Sequence, residues 1–306
     1  MKIVILGALG YIGSALIELY REESEHEILA VDKKFVPILI ANLPDHVSYT
    51  QADILDTNSV KKIVEGADIV YMMAAEVEAE KSKDKKDAVW KVNYEGAMGV
   101  ADLCGKETRF IFPSTGNVFG GVDESVKFMN LDEKDEPTPR LPYAESKVAV
   151  EKHLMNCDND NYTIVRFGTN YGYSPGVRFN LVTNIFVKKA LQGEPIMLHG
   201  GGRNYRPTVH VMDAAGAAKY LAALPEARGQ IYHAVCNSYR ICELAETIEG
   251  LVPGTEIHTT DDAVPFNSYH LSNKKLIGAG YEFKFDLESG VRQMLEKFGQ
   301  IKQFHR

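Results

Sequence analysis

The stretch Gly7-Ala8-Leu9-Gly10-Tyr11-Ile12-Gly13 stands between an apolar run, KIVILG, and a helical rhythm over residues 12–20. Glycine at three of these positions allows a tight turn and lets backbone come close to whatever sits above it. A helix that starts inside such a turn leaves its first N–H groups free, where an anion is favoured. The same strand-then-helix order then repeats. EILAVD, SYTQADI, DIVYMMAA, RFIFPS and YTIVRFG read as strands, and residues 58–66, 88–106 and 142–155 read as helices between them. DIVYMMAA is almost wholly apolar, as suits a strand covered on both faces. Strands alternating with helices at this spacing predict βαβ units, hence an α/β fold with a doubly wound parallel sheet.

Beyond Gly172 the texture changes: glycine, proline and asparagine are frequent and the elements shorten. Residues 183–191, 213–224, 241–251 and 289–300 read as helices, PIMLHG as a strand, and GGRNYRPTVHV as a loop entering a strand. The expected division is a first lobe of residues 1–172, rejoined by 206–240, and a smaller C-terminal lobe built from 173–205 and 241–306.

With 306 residues, 45% apolar and 25% charged, the chain can bury a sizeable core. Its net charge of −8, without a basic stripe, argues against nucleic acid as a partner. Cys104, Cys157, Cys236 and Cys242 have no CxxC spacing, which fits free thiols in a reducing cytoplasm. The nine histidines show no paired metal-ligand spacing, so no metal is expected. The apolar N-terminus resembles a secretory leader, but Gly7, Gly10 and Gly13 interrupt it and Glu18, Arg21, Glu22 and Glu23 follow at once. It therefore reads as strand and helix. No other stretch approaches the ~20 apolar residues of a membrane span.

Asp32 closes the second strand, roughly 20 residues beyond the glycine turn. A carboxylate there accepts hydrogen bonds from ribose hydroxyls and repels a 2′-phosphate, which favours NAD over NADP. Lys33 and Lys34 pull the other way, since a cation could accept that phosphate. Asp53, after the third strand, either meets an adenine amino group or simply turns the chain. Ala74-Ala75 end the fourth strand with side chains small enough to let a cofactor pass.

Tyr143-Ala144-Glu145-Ser146-Lys147 places a phenol and an ammonium at i and i+4 of a helix, on one face. A free tyrosine, with a pKa of ~10, is a poor base at neutral pH because it stays protonated. A neighbouring ammonium favours the phenolate. Alone, such a pair also fits a solvated helix face. The uncharged stretch FPSTGNVFG adds a hydroxyl pair, Ser114-Thr115, where the fifth strand ends.

Together GALGYIG, VDK, QADILD, MAA, Val92-Asn93, PSTGNVFG, YAESK, RFGTNYG and GGGRNYRPTVHVMD resemble the extended short-chain dehydrogenase/reductase superfamily, in its nucleotide-sugar epimerase/dehydratase branch. The resemblance covers essentially the whole chain. It implies a Rossmann-type first lobe that binds NAD and a C-terminal lobe that binds a nucleotide-diphosphate sugar. It implies Tyr143 as general base and acid, Lys147 as its partner, and Thr115 as the hydroxyl that holds the sugar's reacting oxygen. For the cofactor it implies Gly7, Gly10, Tyr11, Ile12 and Gly13 in the turn, with Asp32, Lys33, Asp53 and Ile54 beyond. Ala74, Ala75, Asn93, Pro113 and Phe167 complete that set, with Tyr143 and Lys147. For the substrate it implies Arg206 on the diphosphate, where a guanidinium suits phosphate. Thr169, Asn180, Asn184 and His199 would stand nearby. The helices over 88–106 and 143–155 resemble the pair that forms a homodimer interface in the superfamily.

Departures narrow the chemistry. In the 4,6-dehydratases of this branch an acidic pair follows the catalytic threonine. Gly116 and Asn117 stand here, and neither can drive loss of water across C5 and C6. Glu76 follows the alanines, and Thr169 replaces an asparagine usual in the epimerases. Asn267 and Ser272 replace an arginine and an aspartate of the substrate clamp, for which Arg178, Arg203 or His199 could substitute. The expectation is an NAD-dependent enzyme resembling UDP-glucose 4-epimerase, which oxidises C4, lets the 4-keto sugar turn, and returns the hydride to its other face. A 4-dehydrogenase or 4-ketoreductase shares every residue. A catalytically silent NAD sensor or scaffold on the same fold is the reading from another class.

Overall fold

The computed structural model describes residues 1–77, 82–120, 130–261 and 268–300. Its central sheet has seven strands, numbered along the chain: β1 (Lys2–Leu6), β2 (Glu27–Asp32), β3 (Val47–Gln51), β4 (Ile69–Met72), β5 (Arg109–Thr115), β6 (Tyr162–Phe167) and β7 (Gln230–Ala234). All pairings are parallel, and the spatial order is β7-β6-β5-β4-β1-β2-β3. The direction of winding reverses between β1 and β4. Such a switch leaves a crevice above the carboxyl ends of the strands.

The period of two in β1 assembles the layers. Ile3 and Ile5 enter a core shared with the helices Tyr11–Leu19 and Val211–Ala223, whose alanines at 214, 215, 217 and 218 allow close packing. Val4 and Leu6 enter a second core with Thr57–Val64, Ala97–Leu103 and Pro142–Asn156. β4, β5 and β6 are buried along their whole length. Each aliphatic side chain so removed from water contributes ~1.5–3 kcal/mol.

Two differences from the sequence expectation bear on this sheet and its helices. The helix expected over 88–106 runs as Lys86–Trp90, a π-helical turn Lys91–Gly96, then Ala97–Leu103. The widened turn carries Asn93, whose amide holds both backbone groups of Glu76: it accepts from the N–H at 2.7 Å and donates to the carbonyl at 2.9 Å. A π turn at such a site matches the usual place of these insertions. β7, which has no counterpart in the sequence reading, joins the sheet beside β6.

In the C-terminal half, Val182–Gln192, Ile241–Leu251 and Leu287–Gly299 pack around Phe186, Val187, Leu244, Ile248, Met294 and Phe298. This smaller body meets the sheet at the glycine turn. A Cβ on Gly176 would lie 2.5 Å from the Gly10 carbonyl oxygen. The Tyr11 hydroxyl donates to the Gly172 carbonyl at 2.5 Å, and the Asn184 amide donates to that hydroxyl at 2.9 Å and to the Arg178 carbonyl at 2.8 Å. Among the described residues, no helix is long and apolar enough to cross a membrane.

Candidate active site

A cavity of about 730 Å³ fills the crevice, within the size range of small-molecule sites. The glycine turn forms one end. Gly7 has φ +81°, and a Cβ there would lie 2.5 Å from the Ala74 nitrogen; a Cβ on Gly13 would lie 2.2 Å from the Gly7 carbonyl oxygen. Side chains at either place would push β1, β4 and the first helix apart. Gly10 caps that helix without a side-chain hydrogen bond, and no acid occupies the first turn. Tyr11, Ile12 and Gly13 line the cavity, and the first turn of a helix, with its N–H groups unpaired, suits a phosphate.

Asp32 is oriented by two backbone donors, Leu9 N at 3.1 Å and Lys34 N at 3.0 Å. The Lys33 ammonium lies 2.9 Å from Glu76 Oε1. Asp53 accepts from Leu55 N at 3.0 Å, as a turn residue does, and also lines the cavity. Ile54, Ala74, Ala75, Pro113 and Phe167 complete its walls. An anion-ready helix end, an oriented carboxylate and a small-residue floor fit a dinucleotide.

The other end belongs to Thr115, Tyr143 and Lys147, all of which line the same cavity. Thr115 closes β5, accepts from Asn117 N at 3.2 Å, and shares a side-chain hydrogen bond with Tyr143. Burial holds the Tyr143 phenol above its usual pKa of 10, opposed by the charge of Arg178 and by the Thr115 hydrogen bond. Lys147 is 3% exposed and sits 4.7 Å from the centroid of Phe112. Burial pushes its pKa down to about 7, with the charge of Glu151 opposing. Burial thus disfavours the charged form of Lys147, while the charge of Arg178 favours the Tyr143 phenolate. Glu151 is itself fixed: Arg166 donates to it through Nε at 3.0 Å and Nη2 at 2.7 Å, and Ser114 donates its hydroxyl to Oε1. Ser114 and Thr115 thus divide their work, one turned to the buried ion pair and one to the cavity.

Thr169, Asn180 and Arg178 also line the cavity. Four expected site residues do not, and the reasons are physical. Asn93 spends its amide on Glu76. Asn184 is fully buried and its amide joins Tyr11, Gly172 and Arg178. His199 is exposed at the end of Ile196–His199, with Thr260 Oγ1 at 3.2 Å. Arg206 lies on Tyr205–His210, donates to the Tyr205 carbonyl at 3.2 Å, and its charge acts on the buried phenol of Tyr269. Arg203 is exposed and is not part of the lining, and Ser272 pairs its backbone with Leu131 and His233. Asn267 lies outside the described residues.

Tyr269 lines the cavity and the sequence reading omitted it. Its hydroxyl donates to Asn117 Oδ1 at 3.2 Å, and burial pushes its pKa up to about 12. Beside it, a Cβ on Gly116 would come within 2.8 Å of Leu271 Cδ1. Nothing local announces either contact, because both arrive from a distant segment that pairs His270–Leu271 with Asn130–Leu131.

A glycine turn, a phenol and an ammonium around one cavity suit a nicotinamide cofactor. Residues 3–234 match the NAD dependent epimerase/dehydratase family, and the chain belongs to that family. It is an NAD-dependent enzyme. A trifunctional UDP-glucose 4,6-dehydratase/UDP-4-keto-6-deoxy-D-glucose 3,5-epimerase/UDP-4-keto-L-rhamnose-reductase of Arabidopsis thaliana is 26% identical over 312 residues, covering 96% of this chain and 47% of that protein. The chain thus spans about half the length of that relative. Among solved structures, dTDP-glucose 4,6-dehydratase of Bacillus anthracis in complex with NAD superposes with a TM-score of 0.86 at 20% identity, covering 100% of this chain and 98% of that one. UDP-glucose 4-epimerase of Thermotoga maritima with UDP-glucose gives 0.85 at 22% identity, covering 98% and 99%.

Proposed function

We propose that the chain is a nucleotide-sugar 4-epimerase that works through a transient 4-keto sugar. The packing at Gly116-Asn117 carries this reading. Elimination of water from C5 and C6 needs an acid and a base beside the sugar, and here Leu271 packs against Gly116 while Asn117 accepts from Tyr269. Among the described residues lining the cavity the carboxylates are Asp32, Asp53 and Glu76, all at the end that fits adenosine. What remains beside Tyr143 is chemistry at one carbinol.

The Thr115 hydroxyl holds the C4 oxygen, and Tyr143 takes the hydroxyl proton and later returns it. To take that proton Tyr143 must first be a phenolate, and the positive charge of Arg178 favours that form. Bound NAD supplies a reversible acceptor for the C4 hydride. The proton and the hydride both return to the sugar, so the turnover is redox-neutral. Arg178 and Asn180 line the cavity and would hold the diphosphate while the 4-keto sugar turns.

UDP-glucose and dTDP-glucose, named for the relatives, are the first substrates to supply. Purified protein with no added NAD is expected to interconvert the C4 epimers, read by NMR of the anomeric protons. A stop after one equivalent with a 4-keto sugar and bound NADH would make it a 4-dehydrogenase or 4-ketoreductase. A 4-keto-6-deoxy product would overturn the argument from Gly116. Tyr143→Phe is expected to lose at least 10²-fold in rate, the usual scale of acid–base catalysis.

A further inference from the structure

We infer that Glu76 makes the adenosine end of the cavity reject a 2′-phosphate, by occupying the ammonium of Lys33. This rests on the family's cofactor and not on the 4-epimerase reading. The sequence poses a conflict: Asp32 disfavours NADP, yet the two lysines that follow offer a phosphate its counter-charge. The structure resolves it with a third residue from another strand end. Glu76 Oε1 lies 2.9 Å from Lys33 Nζ, and both residues line the cavity with Asp32 and Asp53. The charges of Glu76, Asp53 and Asp32 all act to keep Lys33 protonated, Glu76 most strongly. A 2′-phosphate would therefore meet three carboxylates and a cation already paired.

The side chains are 49% and 39% exposed, and a pair at that exposure is ordinarily worth little. What sets this one apart is its backbone. The Lys33 carbonyl accepts from Gln51 Nε2 at 3.0 Å, and the Lys34 carbonyl accepts from Tyr49 Oη at 2.6 Å. On the other side Asn93 holds both backbone groups of Glu76. The two chain segments are pinned across the cavity rim before the side chains meet, so little order is lost in closing the bridge. This also gives the π-helical turn its use: it presents Asn93 to the residue that needs holding.

Calorimetric titration of nucleotide-free protein with NAD⁺ and with NADP⁺ tests the assignment without any sugar, so it stands or falls apart from the epimerase. Glu76→Gln is expected to tighten NADP⁺ about tenfold, ~1.4 kcal/mol, while NAD⁺ shifts less than about threefold. Adding Lys33→Ala to that variant should abolish the gain, and raising the salt should shrink it. Three outcomes overturn the proposal: an unchanged NADP⁺ affinity in Glu76→Gln, equal weakening of both nucleotides, or a gain that survives Lys33→Ala. If Glu76→Gln does not fold, Glu76→Ala decides: a selective gain for NADP⁺ supports the assignment, and none overturns it.

Discussion

A Cβ at position 116 would press on Leu271, itself 5% exposed, from 2.8 Å. Overpacking of this kind costs ~1–3 kcal/mol. Gly116→Asp is therefore expected to lower stability to urea by ~2–3 kcal/mol, and Leu271→Ala in that background to recover part of the loss. If Gly116→Asp unfolds at the wild-type urea midpoint, Leu271 does not fill the space. The missing acid was legible in the sequence. What occupies its place was not, since Tyr269 reaches Asn117 across 152 positions and no local pattern links them. Arg206, whose residue type suits phosphate, donates to the Tyr205 carbonyl and its charge acts on Tyr269, which also comes from that distant segment.

The helix Pro142–Asn156 carries Tyr143, Lys147 and Glu151 one turn apart on one side. Lys147 ordinarily titrates at 10.5 and here near 7, and Glu151 raises it. Removing the Glu151 charge lowers it further, so Lys147 loses its proton at lower pH. Glu151→Gln should shift the alkaline limb of the kcat/KM profile to lower pH. It also strands the buried Arg166 and should cost ~3–5 kcal/mol of stability. A profile that stays in place while stability falls would assign Glu151 to folding alone. At this scale, strong periodicity was readable: EILAVD and residues 241–251 have the bounds the pattern gave. The π turn was hidden because its cause, the Glu76 backbone, lies on another element. β7 was hidden because a five-residue run entering a sheet edge has no boundary signal of its own.

Across the whole molecule, the two bodies meet where Gly176 lies over Gly10 and Tyr11 reaches Gly172. The turn that fits the pyrophosphate is thereby clamped between the sheet and the smaller body. Gly176→Ala touches none of the reacting groups, yet its Cβ would lie 2.5 Å from the Gly10 oxygen. It is expected to lower the NAD retained per chain after gel filtration severalfold and the melting midpoint by several degrees, as a ~1–3 kcal/mol loss does in a chain of this size. Unchanged retention would show that the seam gives way without disturbing the turn. Gly7 against Ala74, Gly13 against Gly7 and Gly176 against Gly10 are contacts of bare main chain. The joinery of this enzyme is written as absent side chains. A mutational survey confined to charged and aromatic positions would map the chemistry and leave unsampled the places where the molecule is put together.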